Sequence, residues 1–456
     1  MAITIHQQPD LHSAISTPLI VTATSTNSSN DGFNFVVRFD TGVGGATIAE
    51  YKFAPNAHGA IGFNIVQMAR QYIRNRNALT ENNTNPPVPI HKYSNQICDR
   101  EFVDNGDYAG TLLVSVVILE GYNIDGVFTI DEDSAIGVSP SPTIFNYQDF
   151  QIKDGFNPSL LDQIGHKDGD QSRIMSDRLP TTYDWPAARF VGLSQPNAIY
   201  IPARETDYGQ WGVLCSSTIE GQESDAKKVR VSILPNSGAP VQEVFDLIDG
   251  ETLMSHMPLW PANMNDSPIA DMPKPSDYPN WKAIYFQILN DADEQVSMSY
   301  IMFNIDHPQY GECSCHGYDV VRLAWVGRRG GWEYQNFTLL SETEYETDQK
   351  VAKRVVGNYG EVQSSTDFTF NPFDESEFVT YKKINKFVTC NTDILQPNEW
   401  EFLKGLILSK QVHWVHDDGT HTPVIIQDSN FKVRNPKSKA REALTVRFKV
   451  AQDQSN

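Results

Sequence analysis

Chemistry in this chain would have to come from a few clusters of ligating or acid–base side chains. His307, Cys313, Cys315 and His316 lie within ten residues of one another. Thiolates and imidazoles are zinc ligands, but structural zinc sites space their cysteines two to four residues apart and usually complete the set with a second pair. The cysteines here are closer than that, and no second pair stands at a matching distance, so the segment reads as a turn that contains thiols. A second cluster is His413, His416, Asp417, Asp418 and His421. Three imidazoles and two carboxylates are chemically sufficient for a metal. On a strand, however, residues 413 and 416 point to opposite faces, and Asp417–Gly419 reads as the solvated turn of a hairpin. Hairpin polarity is therefore expected here, not a metal site.

Carboxylates gather at Asp131–Asp133, at Asp168 and Asp170, and at Asp291, Asp293 and Glu294. None follows the calcium loop with its central glycine and terminal glutamate. A glycosidase pair is defined by its separation in space, which sequence spacing does not encode. Gly327–Gly331 matches neither the phosphate-loop nor the dinucleotide-binding pattern, and the chain has no Gly-x-Ser-x-Gly elbow. The expectation is a protein without catalytic residues, without a metal and without a cofactor.

The same glycines serve a different purpose in Leu323–Phe337, LAWVGRRGGWEYQNF. An apolar strand ends at Trp325, a glycine–arginine turn follows, and an aromatic strand opens at Trp332. Arg328 and Arg329 at that turn could grip a carboxylate on a neighbouring subunit, since a guanidinium presents a planar fork. Arg328, Arg329 and Trp332 are the residues expected at subunit contacts.

Length and composition frame these motifs. The chain has 456 residues, 40% hydrophobic and 20% charged, with a formal net charge of −21. That is an ordinary globular composition with room for several cores. A broad phosphate-binding surface is not expected of so acidic a chain, although DNA could pass beside it without sticking. Five cysteines, an odd and low count, argue against a disulfide framework. The first residues lack a secretory signal pattern, and no apolar run approaches the ~20 residues of a membrane helix. Folding in a reducing cytosol is expected.

The pattern of elements is strand-rich. An N-terminal β-sandwich is expected over 1–138, with strands at Pro18–Ser25, Phe33–Phe39, Ile48–Phe53, Thr111–Leu119 and Val127–Ile130. One helix is expected over Gly62–Arg74, capped by Asn64. Residues 139–184, loose and proline-bearing, read as an extended linker. A central β-sandwich is expected over 185–339, interrupted by a long excursion at Pro240–Pro279. A C-terminal β-sandwich over 340–456 carries a helix at 397–409, with Pro397 in its first turn. Strands at Val412–Val415 and Val424–Ile426 flank its hairpin. The predicted fold class is mainly β: several sandwiches or barrels with one or two short packed helices.

Several stretches carry a family resemblance. Ile5–Asp10 (IHQQPD), Ser16–Asn27 (STPLIVTATSTN) and Phe33–Phe39 (FNFVVRF) resemble the opening of virion structural proteins of tailed phages, especially those of Bacteroidota-type hosts. Pro55–Ile73 is similar to the helix that follows in that family. LAWVGRRGGWEYQNF is similar to its tryptophan–glycine-glycine–aromatic stretch, with Gly327 where the family often has asparagine. PNEWEFLKGLILSKQVHWV and TPVIIQDSNFKV resemble its end. The resemblance implies a non-enzymatic virion component, a tail, hub or neck-ring subunit. Its partners would be copies of itself and other virion proteins, in a ring around the DNA path, without sequence-specific DNA binding or membrane insertion. It would be made in the bacterial cytoplasm and released in the virion by lysis. The alternative is an adhesin or carbohydrate-binding fibre protein, whose exposed aromatics would stack on sugars.

Overall fold

The computed structural model describes residues 2–40, 49–70, 72–73, 78–79, 88–95, 111–146, 156–158, 174–178, 198–214, 226–247, 254–308, 318–353, 375–392, 397–427 and 443–451. As expected from the strand-rich pattern, the chain is mainly β, with several sheets in a sandwich-like arrangement and short helices.

The N-terminal unit stacks two antiparallel sheets. One has the order β1 (Ile3–Gln7), β3 (Ile20–Ser25), β6 (Ala60–Asn64); the other has β11 (Val127–Gly137), β10 (Ser115–Ile124), β4 (Asn34–Asp40), β5 (Ala49–Phe53). A third, small sheet joins β2 (His12–Ala14), β12 (Thr143–Phe145) and β9 (Thr111–Leu113), and β7 (Ala78–Leu79) pairs with β8 (Val88–Pro89). In β3, Val21, Ala23 and Ser25 are buried while the residues between them are half-buried, the alternation of a strand with one face on a core. Val21, Ala23, Ile61 and Phe63 meet Phe35, Val37, Phe39, Val116 and Ile118 across the sandwich.

The helix expected over Gly62–Arg74 is much shorter: among the described residues of that stretch only α1 (Val66–Ala69) is helical, and Ala60–Asn64 is a strand. Ile61, Phe63 and Ile65 fit a period of two as well as they fit a helix. Pairing with β3 buries Ile61 and Phe63, which decides between the periods. Asn64 stands at the helix entrance, where its Oδ1 accepts N–H bonds from Val66 at 3.1 Å and Leu19 at 3.2 Å.

The central unit has the sheet order β13 (Ile199–Ala203), β19 (Tyr300–Asn304), β18 (Ala283–Leu289), β15 (Lys228–Leu234), β16 (Val241–Asp246). β13 and β19 run parallel, and the other pairs are antiparallel. β14 (Trp211–Leu214) and β17 (Met254–Met257) form a separate pair. The excursion expected at Pro240–Pro279 is instead woven into this unit. It supplies β16, β17 and α2 (Pro261–Asp266), and it buries Met257, Leu259, Trp260 and Met264 completely. Its prolines break the periodic pattern, but its large apolar side chains belong to the core. Trp260 lies parallel to Trp211 at 5.2 Å.

The C-terminal unit is one seven-stranded sheet. Its order is β21 (Trp332–Phe337), β20 (Val321–Val326), β24 (Val412–Val415), β25 (His421–Ile426), β26 (Thr445–Val450), β23 (Glu377–Asn391), β22 (Glu342–Lys353). The helix predicted from Pro397 forms as α3 (Pro397–Leu408). Its Phe402, Leu403 and Leu406 pack with Trp325, Val388, Val446 and Phe448.

The division expected at 339 therefore cuts through a sheet, because β20 and β21 hydrogen-bond on to β24. Every residue of β20 and β21 is buried. In β20, Ala324 and Val326 join the central core, while Val321, Leu323 and Trp325 join the C-terminal core. This strand pair is a wall between two cores, so neither face shows the polar alternation that would have marked an edge. The linker expected over 139–184 also differs where it is described: Thr143–Phe145 is β12 in the N-terminal unit, and residues 174–178 are buried.

β22 and β23 pair over the whole length of β22, from Glu342↔Thr389 to Lys353↔Glu377, but β26 covers β23 only from Phe387 to Asn391. Beyond that point they form a two-stranded ribbon, and β22 is exposed throughout except at Ala352.

The glycines of the 327–331 turn do what their spacing suggested. Gly327 donates to the Gly331 carbonyl at 2.8 Å, Gly330 donates to the Gly327 carbonyl at 3.0 Å, and Gly330 has φ +86°. A Cβ on Gly331 would overlap the backbone carbonyl of Met175. Gly331→Ala is therefore expected to lower stability by about 1–3 kcal/mol, the usual cost of overpacking, as measured by urea denaturation.

Candidate functional site at the junction of the three units

The central-core face of the wall carries Arg322 on β20, Trp332 and Tyr334 on β21, and His413 on β24. Three other segments close over it: the turn Ile90–Lys92, the loop 203–211, and the start of α2. The contacts are polar and buried. Asn263 donates to the carbonyls of His91 at 2.9 Å and Tyr93 at 3.2 Å, and accepts from Gly209 N–H at 2.8 Å. Gln210 donates its side-chain amide to the Tyr93 carbonyl at 2.6 Å and its backbone N–H to the Tyr334 hydroxyl at 2.7 Å.

At one end is a buried charge network. The Arg322 guanidinium is 2% exposed and Asp207 is wholly buried, with 3.3 Å between them. Arg322 also donates to the Tyr208 carbonyl and to Asn336 Oδ1, and lies 4.0 Å over the Trp260 ring. Asp207 accepts from the Arg204 N–H, the Arg204 guanidinium and the Asn336 amide. Arg204 extends the network to Asp417 at the hairpin turn, at 2.8 Å. Burial pulls Arg322 down to about 10, leaving it charged at neutral pH. Burial alone would raise Asp207, but Arg322 and Arg204 outweigh it and hold the carboxyl below its ordinary range.

Next to it are three histidines. His91 Nδ1 is 2.9 Å from the Tyr334 hydroxyl, and His91 Nε2 is 2.9 Å from His413 Nδ1. His421 stacks on His413 with ring centroids 4.2 Å apart. Trp332 covers His91 and His413 at 4.8 and 4.9 Å. In the hairpin ladder Val415 opposes His421, so residues 413, 415 and 421 share a face. His416 turns the other way, against Trp414 and the Thr422 hydroxyl. Burial lowers all three rings, and each is lowered further by a neighbouring histidine: His413 goes to about 3, His421 to about 4, and His91 well below its ordinary value. They are neutral imidazoles at physiological pH. Among the described residues, this is the group whose donor atoms lie close enough to share a cation.

The other face of β21 presents Glu333 to the buried segment 174–178. Glu333 accepts from the Ser176 hydroxyl and the Asp177 N–H. Burial, reinforced by Asp177, pushes Glu333 up to about 8.

The three residues expected at subunit contacts fall into this architecture. Trp332 is 1% exposed and faces the chain's own histidines. The Arg328 N–H donates to Asp177 at 2.7 Å, its guanidinium lies 3.7 Å from the same carboxylate, and it lines a cleft with Ile73, Gly405 and Val412. Arg329 is half-buried at the turn. Of the His307 cluster, His307 is buried near Asn236, while Cys313, Cys315 and His316 lie outside the described residues, as do Asp168 and Asp170. Glu132 pairs with Arg38 and Asp293 with Lys228. His91 was not singled out in the sequence, because a lone histidine 322 residues from its partner leaves no local signal. The pairing of His413 with His421 was available from the hairpin register. No family model matches this chain, and no curated protein matches it.

Asp207→Asn would leave the buried Arg322 guanidinium short of its counter-charge, while Arg204 keeps Asp417. A loss of about 3–5 kcal/mol is expected, as for one partner removed from a buried pair, measured by urea denaturation. The histidines and Glu333 also set a pH dependence. The unfolded histidines take up protons below about 6.5 and the folded ones resist, so stability falls as pH drops from there toward 4. Glu333 is the reverse: its folded value of about 8 exceeds its unfolded value, so its contribution is full at low pH and is lost as pH rises through 8. Stability should peak near pH 6.5, and Glu333→Gln should abolish the decline between 6.5 and 8 in urea denaturation across that range.

Proposed function

We propose that this protein is a structural subunit of a tailed-phage virion, in the tail, hub or neck ring, and that it works by assembling rather than by catalysis. Copies of the chain and other virion proteins would form a symmetric ring around the DNA path, closed by heterologous contacts. The observation that carries this reading is the β22–β23 ribbon. At roughly 3.3 Å per residue it extends about 30 Å past Phe387, the last residue of β23 that β26 supports. It presents Val351 opposite Val379, with Tyr381 beside them, at 48%, 50% and 40% exposure, and Phe378 at 41%. Exposed apolar groups on an arm detached from any core suit a surface that a neighbour completes. β22 is also the edge of its sheet, with backbone groups open to pairing. The net charge of −21 suits a conduit that DNA passes without adhering.

This moves the expected contact surface from the 327–332 turn to the ribbon. The carbohydrate-binding alternative asks for exposed aromatics; Trp211, Trp260, Trp281, Trp325 and Trp332 are core residues, so among the described residues it would rest on tyrosines such as Tyr318 and Tyr345.

Replacing residues 349–382 with Asn-Gly would close the ribbon just beyond the Asp348↔Lys383 pair with a favoured hairpin turn. The removed strand residues are exposed except for half-buried Ala352, and circular dichroism with the melting temperature checks that the shortened chain still folds. Ring assembly, seen by negative-stain electron microscopy and sedimentation, should be lost. Rings that persist without the ribbon would sink the assignment.

A further inference from the structure

We propose that His91, His413 and His421 form a binding site for a late first-row divalent cation such as zinc(II), clamping the 88–94 segment to the C-terminal hairpin. Their donor atoms all lie within 4.8 Å of one another. Tetrahedral zinc, at about 2.0–2.1 Å from each imidazole nitrogen, sets its ligand atoms roughly 3.3 Å apart. His91 Nε2 and His413 Nδ1, at 2.9 Å, are already near that separation.

Three further features suit an ion. His421 Nδ1 is buried and has no hydrogen-bond partner among the described residues, an unmet cost that ligation would remove. The far side of His91 is fixed. The Tyr334 hydroxyl accepts the Gln210 N–H and contacts His91 Nδ1, which turns Nε2 toward the other two rings. An outer partner of this kind is what orients ligating histidines. Burial also keeps the rings neutral, so little proton release is needed before they bind. On loading, the cation takes the place of the proton shared between His91 Nε2 and His413 Nδ1; each ring keeps one N–H, His91 at Nδ1 against the Tyr334 hydroxyl and His413 at Nε2 after a change of tautomer, so no net proton is lost, and His421 swings out of its stack on His413 to bring its lone pair into line. His421 is half-buried, so this side provides entry and a fourth position for water. Imidazoles without thiolates favour zinc, nickel or copper over calcium or magnesium. The site does not depend on the assembly role proposed above.

The test uses the full chain, stripped with a chelator and titrated with zinc(II) against a chromophoric competitor. One equivalent should bind per chain and raise the melting temperature. Cobalt(II) should give the intense visible bands of four-coordination, a readout that needs no variant. His421→Gln, the least buried of the three, should weaken binding at least ten-fold, and Tyr334→Phe by about 10–100-fold, as for other outer-shell partners. His416→Gln, outside the cluster, should bind as the parent does. A chain that takes up no zinc, or that binds it equally well as His421→Gln, overturns the proposal.

Discussion

The pairing of Arg322 with Asp207 is the interaction on which the arrangement of the units depends. Arg322 sits on β20, a strand buried on both faces, and its guanidinium points into the central core. A charge there is tolerable only with a counter-charge and a full set of acceptors. Asp207, Asn336 and the Tyr208 carbonyl provide them, and the Trp260 ring covers the guanidinium plane. Because Asp207 comes from the loop after β13, the charge can be satisfied only if that loop docks on the C-terminal sheet. The pair thus couples correct packing of the central unit to correct formation of the wall. Hydrophobic burial alone is non-directional and would not specify that register.

The polar groups around the pair extend the same logic. Asn263 and Gln210 tie down the carbonyls of residues 90–93, which lack a regular ladder of their own. Arg204 reaches Asp417, and Lys92 donates to the Asp418 carbonyl at 2.9 Å, so the hairpin turn is held from two directions. The histidines stay neutral because three imidazolium groups could not be buried side by side. Glu333, on the opposite face of β21, resists ionisation for the same reason.

The division of labour in the fold fits an assembly protein. The units meet through interlocked cores that share a wall, while the two-stranded arm carries exposed apolar groups outward, among them Val351, Val379 and Tyr381. At the base of the arm Arg447 pairs with Glu344 at 2.8 Å and reaches Glu346 at 3.6 Å. The apolar groups lie further out.

The residues determined much of this chain on their own. Alternating runs such as Ile20–Ser25 and Lys228–Leu234, the proline-started helix α3, and the glycines of the 327–331 turn each follow from local rules of burial and backbone geometry. Local rules failed where two periods fitted equally, as at Ile61–Ile65, and where a segment was apolar on both sides, as at β20. The proline-rich stretch after Pro240 misled because breakers reveal where periodicity stops, not whether the side chains between them are buried. Only the tertiary structure decided that β20 and β21 divide two cores, that Trp332 faces inward, and that His91 meets His413 and His421. Those outcomes depend on contacts between residues hundreds of positions apart, whose energies come from burial and charge pairing that no local pattern encodes.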